Sequence, residues 1–209
     1  MDLARLPLDL PGLLALAAGL GWASGLRLYT VLFVIGLAGR LEWLVLPDGL
    51  RPLQHPWVLG ACGLMLLVEF LADKVPLLDS AWDTVHTVVR IPAGAALAAM
   101  VFGGHGVEWQ TAMAILGGTL AAGAHFAKAG TRAMINTSPE PVSNLVASFG
   151  EDALVLVGLW LMIAHPWLML ALLVLAVAVM AWLLPRLWQG IAGLVRRFSL
   201  PRPTPGGMA

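Results

Sequence analysis

Four ionisable residues, Asp79, Asp83, His86 and Arg90, follow one another at intervals of 4, 3 and 4. On a helix that spacing lays all four along one narrow stripe. Glu69, Asp73 and Lys74 lie just ahead of them, and Arg27 stands upstream inside an apolar run. A second group begins with His125, Lys128 and Arg132, spaced by 3 and 4, and continues with Asn136, Glu140, Asn144, Glu151 and Asp152. Such a mixture can bind an ion or a small charged solute, and its carboxylates and His86 can relay protons. Asp79, Asp83 and His86 could instead meet on one divalent metal, with Glu140 or Asp73 completing the oxygen ligands. The neighbouring Lys and Arg residues oppose a site that is anionic overall, so the leading expectation is no cofactor. No Gly-x-Ser-x-Gly, His-Glu-x-x-His or phosphate-binding glycine loop occurs, and no catalytic residue is assigned.

The elements that must position these residues are apolar. They fall near 12–39, 57–72, 85–102, 112–133, 149–164 and 167–184. The chain has 209 residues, 59% of them hydrophobic and only 11% charged. Soluble domains carry about 25% charged residues, so a helical integral membrane protein is expected. Net charge is zero, which gives no reason to expect nucleic acid. The single cysteine, Cys62, excludes an internal disulfide and reads as a small buried packing residue. No removable signal peptide is read at the N-terminus.

The first apolar run is long for one span and is interrupted by Ser24-Gly25-Leu26-Arg27. Either a tilted helix carries Arg27 at mid-depth, or the segment is broken or re-entrant there. Small residues from Gly117 to Gly130 give the fourth run a face for close helix packing. His55-Pro56-Trp57 and His165-Pro166-Trp167 read as two helix starts at the membrane interface. Leu-Ala-Ala-Gly occurs at 16–19 and 120–123, which with the two His-Pro-Trp strings hints at an internal repeat. Plainer readings exist for single residues. Ser80-x-x-Asp83 and Ser148-x-x-Glu151 match a capping box. Capping leaves His86 and Arg90 on the Asp stripe, and Lys128 and Arg132 on the facing segment, without an explanation.

Four strings together resemble the DUF4126 family of bacterial membrane proteins: Ser-Gly-Leu-Arg-Leu-Tyr at 24–29, Leu-Ala-Asp-Lys-Val-Pro at 71–76, Asp79 to His86 with Arg90, and Asn-Thr-Ser-Pro-Glu-Pro-Val-Ser-Asn at 136–144. The resemblance runs from about residue 12 to 188. It implies one polytopic inner-membrane domain and places the site residues named above, other than His125, in the family's motif blocks. It assigns none of them a reaction.

The expectation is therefore an all-α membrane domain over 1–188 with six spans, followed by a disordered basic tail over 189–209. Arg residues in the tail and their absence from the short loops place both termini in the cytoplasm. The leading functional expectation is a small transporter or channel-like protein. The alternatives are a non-transporting protein, whose charges form a structural network or dock a partner, and an intramembrane enzyme acting on a lipid headgroup. The partners expected are the bilayer and a small ion or solute; an oligomer is compatible with the sequence.

Overall fold

A computed structural model describes residues 8–75, 78–137 and 141–199. Among them every regular element is helical, in the order α1 (Leu10–Arg40), a short 3₁₀ helix (Asp48–Gln54), α2 (Pro56–Ala72), α3 (Leu78–Val101), α4 (Gly106–Ile135), α5 (Pro141–Ala164) and α6 (Pro166–Ser199).

Local chemistry sets several of these starts. The Asp9 carboxylate accepts the Gly12 N–H at 2.9 Å, and Pro11 sits in the first turn of α1. Asp9 thus satisfies one of the amides that a helix start leaves unpaired. His55 caps α2 in the same way, its Nδ1 accepting from the Trp57 amide at 3.4 Å, with Pro56 as the first helical residue. Both His-Pro-Trp strings open helices, α2 and α6. These are not corresponding positions in a three-plus-three division, so the tripeptides do not support a simple repeat.

Of the six α-helices, α1, α3, α5 and α6 are long and apolar enough to cross a membrane. A fifth span arises if the 3₁₀ helix and α2, bent by 71° at their junction, count as one. The six expected spans are thus more than length and composition support. At 17 residues α2 is short for a span that needs roughly 20. Helix α4 has the length, 30 residues, but its glycines, alanines, His125 and Lys128 dilute its apolar character. Helix α6 continues to Ser199, into the region expected to be a tail. Only 11% of its apolar window is buried by protein, which fits a lipid-facing helix.

Helix α1 runs through the middle of the bundle and packs against every other α-helix. Its Leu16, Leu20, Ala23, Leu28 and Val31 are fully or almost fully buried. Contact among α1, α3 and α4 is close enough to require small residues. A Cβ on Gly25 would lie 2.3 Å from the Ala121 carbonyl oxygen, and one on Gly117 would lie 2.3 Å from the Ala98 Cβ. This is the packing role expected of the small residues in α4. Cys62 is a free, buried thiol, as the composition implied.

Candidate functional site

The first apolar run is broken. Inside α1, Arg27 has φ −144° and ψ 76°, outside the helical region, so two helical segments meet there. Of the two expectations for this run, a continuous tilted helix is therefore excluded. The break points the Arg27 guanidinium at the charges of α2 and α5. Its Nη1 lies 2.5 Å from Asp73, and its Nη2 lies 3.1 Å from Asp152 and 3.8 Å from Glu151. Nη2 also donates to the Ser148 carbonyl and hydroxyl, each at 3.0 Å. Arg27 is 1% exposed. A charge so buried persists when opposite charges and hydrogen bonds surround it.

The stripe on α3 faces inward as its spacing predicts: Asp79, Asp83, His86 and Arg90 are all buried. Arg90 joins two carboxylates, Glu69 of α2 at 2.7 Å and Asp83 of its own helix at 2.6 Å. Lys128 of α4 lies 2.7 Å from Asp73, 3.4 Å from Asp83 and 3.5 Å from Glu151, and donates to the Leu26 carbonyl beside the break in α1. One turn further along α4, Arg132 grips Glu151 with two bonds of 3.0 Å and donates to both oxygens of Asn144. Asn136 donates to Asp79 at 2.9 Å. The described residues of the two polar turns, after α2 and after α4, therefore meet, and the two charged groups form one cluster. Glu140 lies outside the described residues.

Among the described residues the site gathers six carboxylates (Glu69, Asp73, Asp79, Asp83, Glu151, Asp152) and five cations (Arg27, Lys74, Arg90, Lys128, Arg132). Its interior is sealed: Asp73, Asp79, Arg90 and Arg132 have no exposed surface. One edge is open. The side chains of Lys74, Glu151 and Asp152 are 15%, 15% and 21% exposed. Lys74 stands at this edge, with its ammonium 3.1 Å from the Phe70 ring centre, 4.5 Å from that of Phe149 and 3.6 Å from Asp152.

Pairing within the interior is incomplete. Glu69 Oε2, Asp73 Oδ1, Asp79 Oδ2, Asp83 Oδ2 and Asp152 Oδ2 are buried without a hydrogen-bond partner in the protein. The Nε atoms of Arg27 and Arg90 are in the same state. Arg132 approaches Asp79 Oδ2 only to 3.9 Å, too far for a hydrogen bond.

The candidate metal trio does not assemble. Asp79 turns to Asn136, Asp83 to Arg90, and His86 to Trp82 and Tyr29. Among the described residues no group of three or more His, Cys, Asp or Glu side chains is placed to hold a metal ion. His86 Nδ1 lies 2.9 Å from the Trp82 carbonyl, which can only accept, so Nδ1 carries the proton. Its ring stacks on Trp82 at 4.0 Å between centres, while the Tyr29 hydroxyl lies 3.3 Å from Nε2.

Sequence reasoning missed two residues at the site. Ser148 is buried inside α5, not at a helix start, and its hydroxyl serves Arg27 and Lys74. The capping-box reading of Ser148 fails for that reason, and that of Ser80 fails likewise because α3 begins at Leu78. A signal was present, since Asn144, Ser148 and Glu151 repeat at helical spacing. His125 closes the site behind Arg90, its Nε2 2.7 Å from the Thr87 hydroxyl and its Nδ1 3.5 Å from Arg90. Tyr29, two residues past the break, is the second residue missed.

A family model described as "Domain of unknown function (DUF4126)" matches residues 14–186. The chain belongs to the DUF4126 family. The match spans both charged groups and every α-helix at the site. No curated protein and no solved structure matches the chain. The apolar helices of this DUF4126 member make it a membrane protein.

Proposed function

We propose that this DUF4126 protein is a small transporter of the inner (plasma) membrane. In this reading it binds an ion or small charged solute at the polar centre between α1 and the helices α2 to α5. The observation that carries the reading is the set of five buried carboxylate oxygens without hydrogen-bond partners, in the same charge cluster that the break in α1 joins through Arg27. Buried polar atoms in a purely structural network find donors, because leaving them unpaired costs on the order of 1–3 kcal/mol each. Discontinuous helices beside a mid-membrane charge are also how many transporters build binding sites. Lys74, Glu151 and Asp152 mark the side from which a solute would enter.

Both termini are placed in the cytoplasm on the distribution of Arg residues. This reading requires α2 and α4 to cross the bilayer as well; the turns after α2 and α4 then lie on that side, and the centre opens toward the cytoplasm. A second reading, a structural ion-pair network, draws on the fact that each of the five cations lies within 4 Å of a carboxylate. The two are separated by reconstituting the full chain in liposomes on a solid-supported electrode. Jumps of Na⁺, K⁺, NH₄⁺, Mg²⁺, chloride, phosphate and pH are then applied. Transport predicts a transient current for at least one of them, lost in Lys128→Met. Silence to all of them, with the protein folded, leaves the structural reading.

A further inference from the structure

Six carboxylates against five cations leave one negative charge uncompensated among the described residues of the site. A buried acid in that position takes up a proton instead of remaining charged. From the partners of each carboxylate, we infer that Glu69 is the proton-binding residue of this centre. Asp73 faces two cations, Arg27 and Lys128, and Asp83 also faces two, Arg90 and Lys128. Glu151 has Arg132, Lys128 and Arg27 in reach, and Asp152 has Arg27 and Lys74. Among the described residues two acids are left with one cation each within 4 Å, Glu69 with Arg90 at 2.7 Å and Asp79 with Arg132 at 3.9 Å.

Backbone and hydrogen bonds decide between these two. Asp79 stands in the first turn of α3, where the helix dipole favours a carboxylate. It also accepts hydrogen bonds from the Ser80 amide and the Asn136 side chain. Glu69 stands in the last turn of α2, where the dipole disfavours negative charge, and among the described residues it accepts a hydrogen bond from Arg90 alone. Its Oε2 is buried and unpartnered, which leaves it free to carry the proton. Arg90 from α3 is in contact with Glu69, while Lys128 from α4, Arg27 and Tyr29 from α1, and Asp73 beyond the end of its own helix act on it electrostatically from farther away.

Protonation of Glu69 stands on this geometry alone; its use as a coupling step rests on the transport reading. With the proton bound, Arg90 is balanced by Asp83. With the proton released, Glu69 and Asp83 compete for Arg90, and the centre favours a cation in the proton's place.

Infrared difference spectroscopy of the full chain in lipid films, on a pH step, reads the proton directly. A protonated-carboxyl C=O band is expected that shifts when glutamate is ¹³C-labelled and stays put when aspartate is labelled. Glu69→Gln abolishes it, and Glu69→Asp restores a band that now follows the aspartate label. A band that follows aspartate in the wild type, or one that survives Glu69→Gln, overturns the inference, as does the absence of any such band. A Glu69 band in a protein that passes no current sinks transport and leaves Glu69 as the proton site.

Discussion

Lys128→Met tests how strongly the centre depends on one cation. The ammonium touches three carboxylates, Asp73 at 2.7 Å, Asp83 at 3.4 Å and Glu151 at 3.5 Å, and is 3% exposed. Methionine matches the shape of the stem and removes the charge. Each of the three acids keeps another cation, namely Arg27, Arg90 or Arg132. The loss therefore falls on the balance of the centre, which moves from one surplus carboxylate to two. Removing one partner of a buried pair costs about 3–5 kcal/mol. The same substitution combined with Asp73→Asn restores the original balance, and the coupling expected between contacting groups is about 0.5–3 kcal/mol. Unfolding in mixed micelles across an SDS series measures both quantities. The double variant should be less destabilised than the sum of the singles. Additive single effects, or a Lys128→Met protein within about 0.5 kcal/mol of wild type, the range of ordinary surface substitutions, would refute the claim that Lys128 holds the centre together.

Two further outcomes follow from the packing and the topology. Gly25→Val forces a branched side chain against the Ala121 carbonyl oxygen, 2.3 Å from where its Cβ would sit, and overpacking of this kind costs about 1–3 kcal/mol. The same micelle unfolding series reads it, and an unchanged midpoint would contradict the close approach of α1 and α4. Gly104→Cys in a Cys62→Ala background places a thiol in the exposed turn between α3 and α4, where a Cβ meets nothing within 4 Å. An impermeant maleimide should label it from outside intact cells; labelling only after the membrane is opened reverses the proposed orientation.

Much of the site could be read from spacing, because a helix converts intervals of 3 and 4 into one face. That is why Asp79, Asp83, His86 and Arg90 arrive together, and why Lys128 and Arg132 meet them from α4. The spacing did not decide which side chains would converge. One stripe put Asp79, Asp83 and His86 in register for a metal, yet Asn136, Arg90 and Trp82 draw them in three directions. Those partners lie on other turns or helices, and a single-helix argument does not include them. Ser148 was hidden for a related reason. A serine three residues before a glutamate is a helix-start signal only if the helix starts there, and α5 begins at Pro141. The break at Arg27 was legible as an alternative because Ser24-Gly25 precedes a charge in an apolar run. Its resolution needed the carboxylates of α2 and α5, which reward a guanidinium that leaves the helical path. Six spans are more than length and composition show, because α2 is short and α4 is diluted by small residues.

In the transport reading the buried charges act on an ion and do not merely hold the helices together. The measurement closest to it is the ion-jump current of the Asp83→Asn/Lys128→Met double variant, recorded beside its unfolding midpoint in the same preparation. The pair is 3.4 Å apart, and removing both charges leaves the surplus of one carboxylate unchanged. On the transport reading the double variant should show a midpoint close to that of the wild type, with no current. A double variant that is equally stable and carries wild-type current would contradict it.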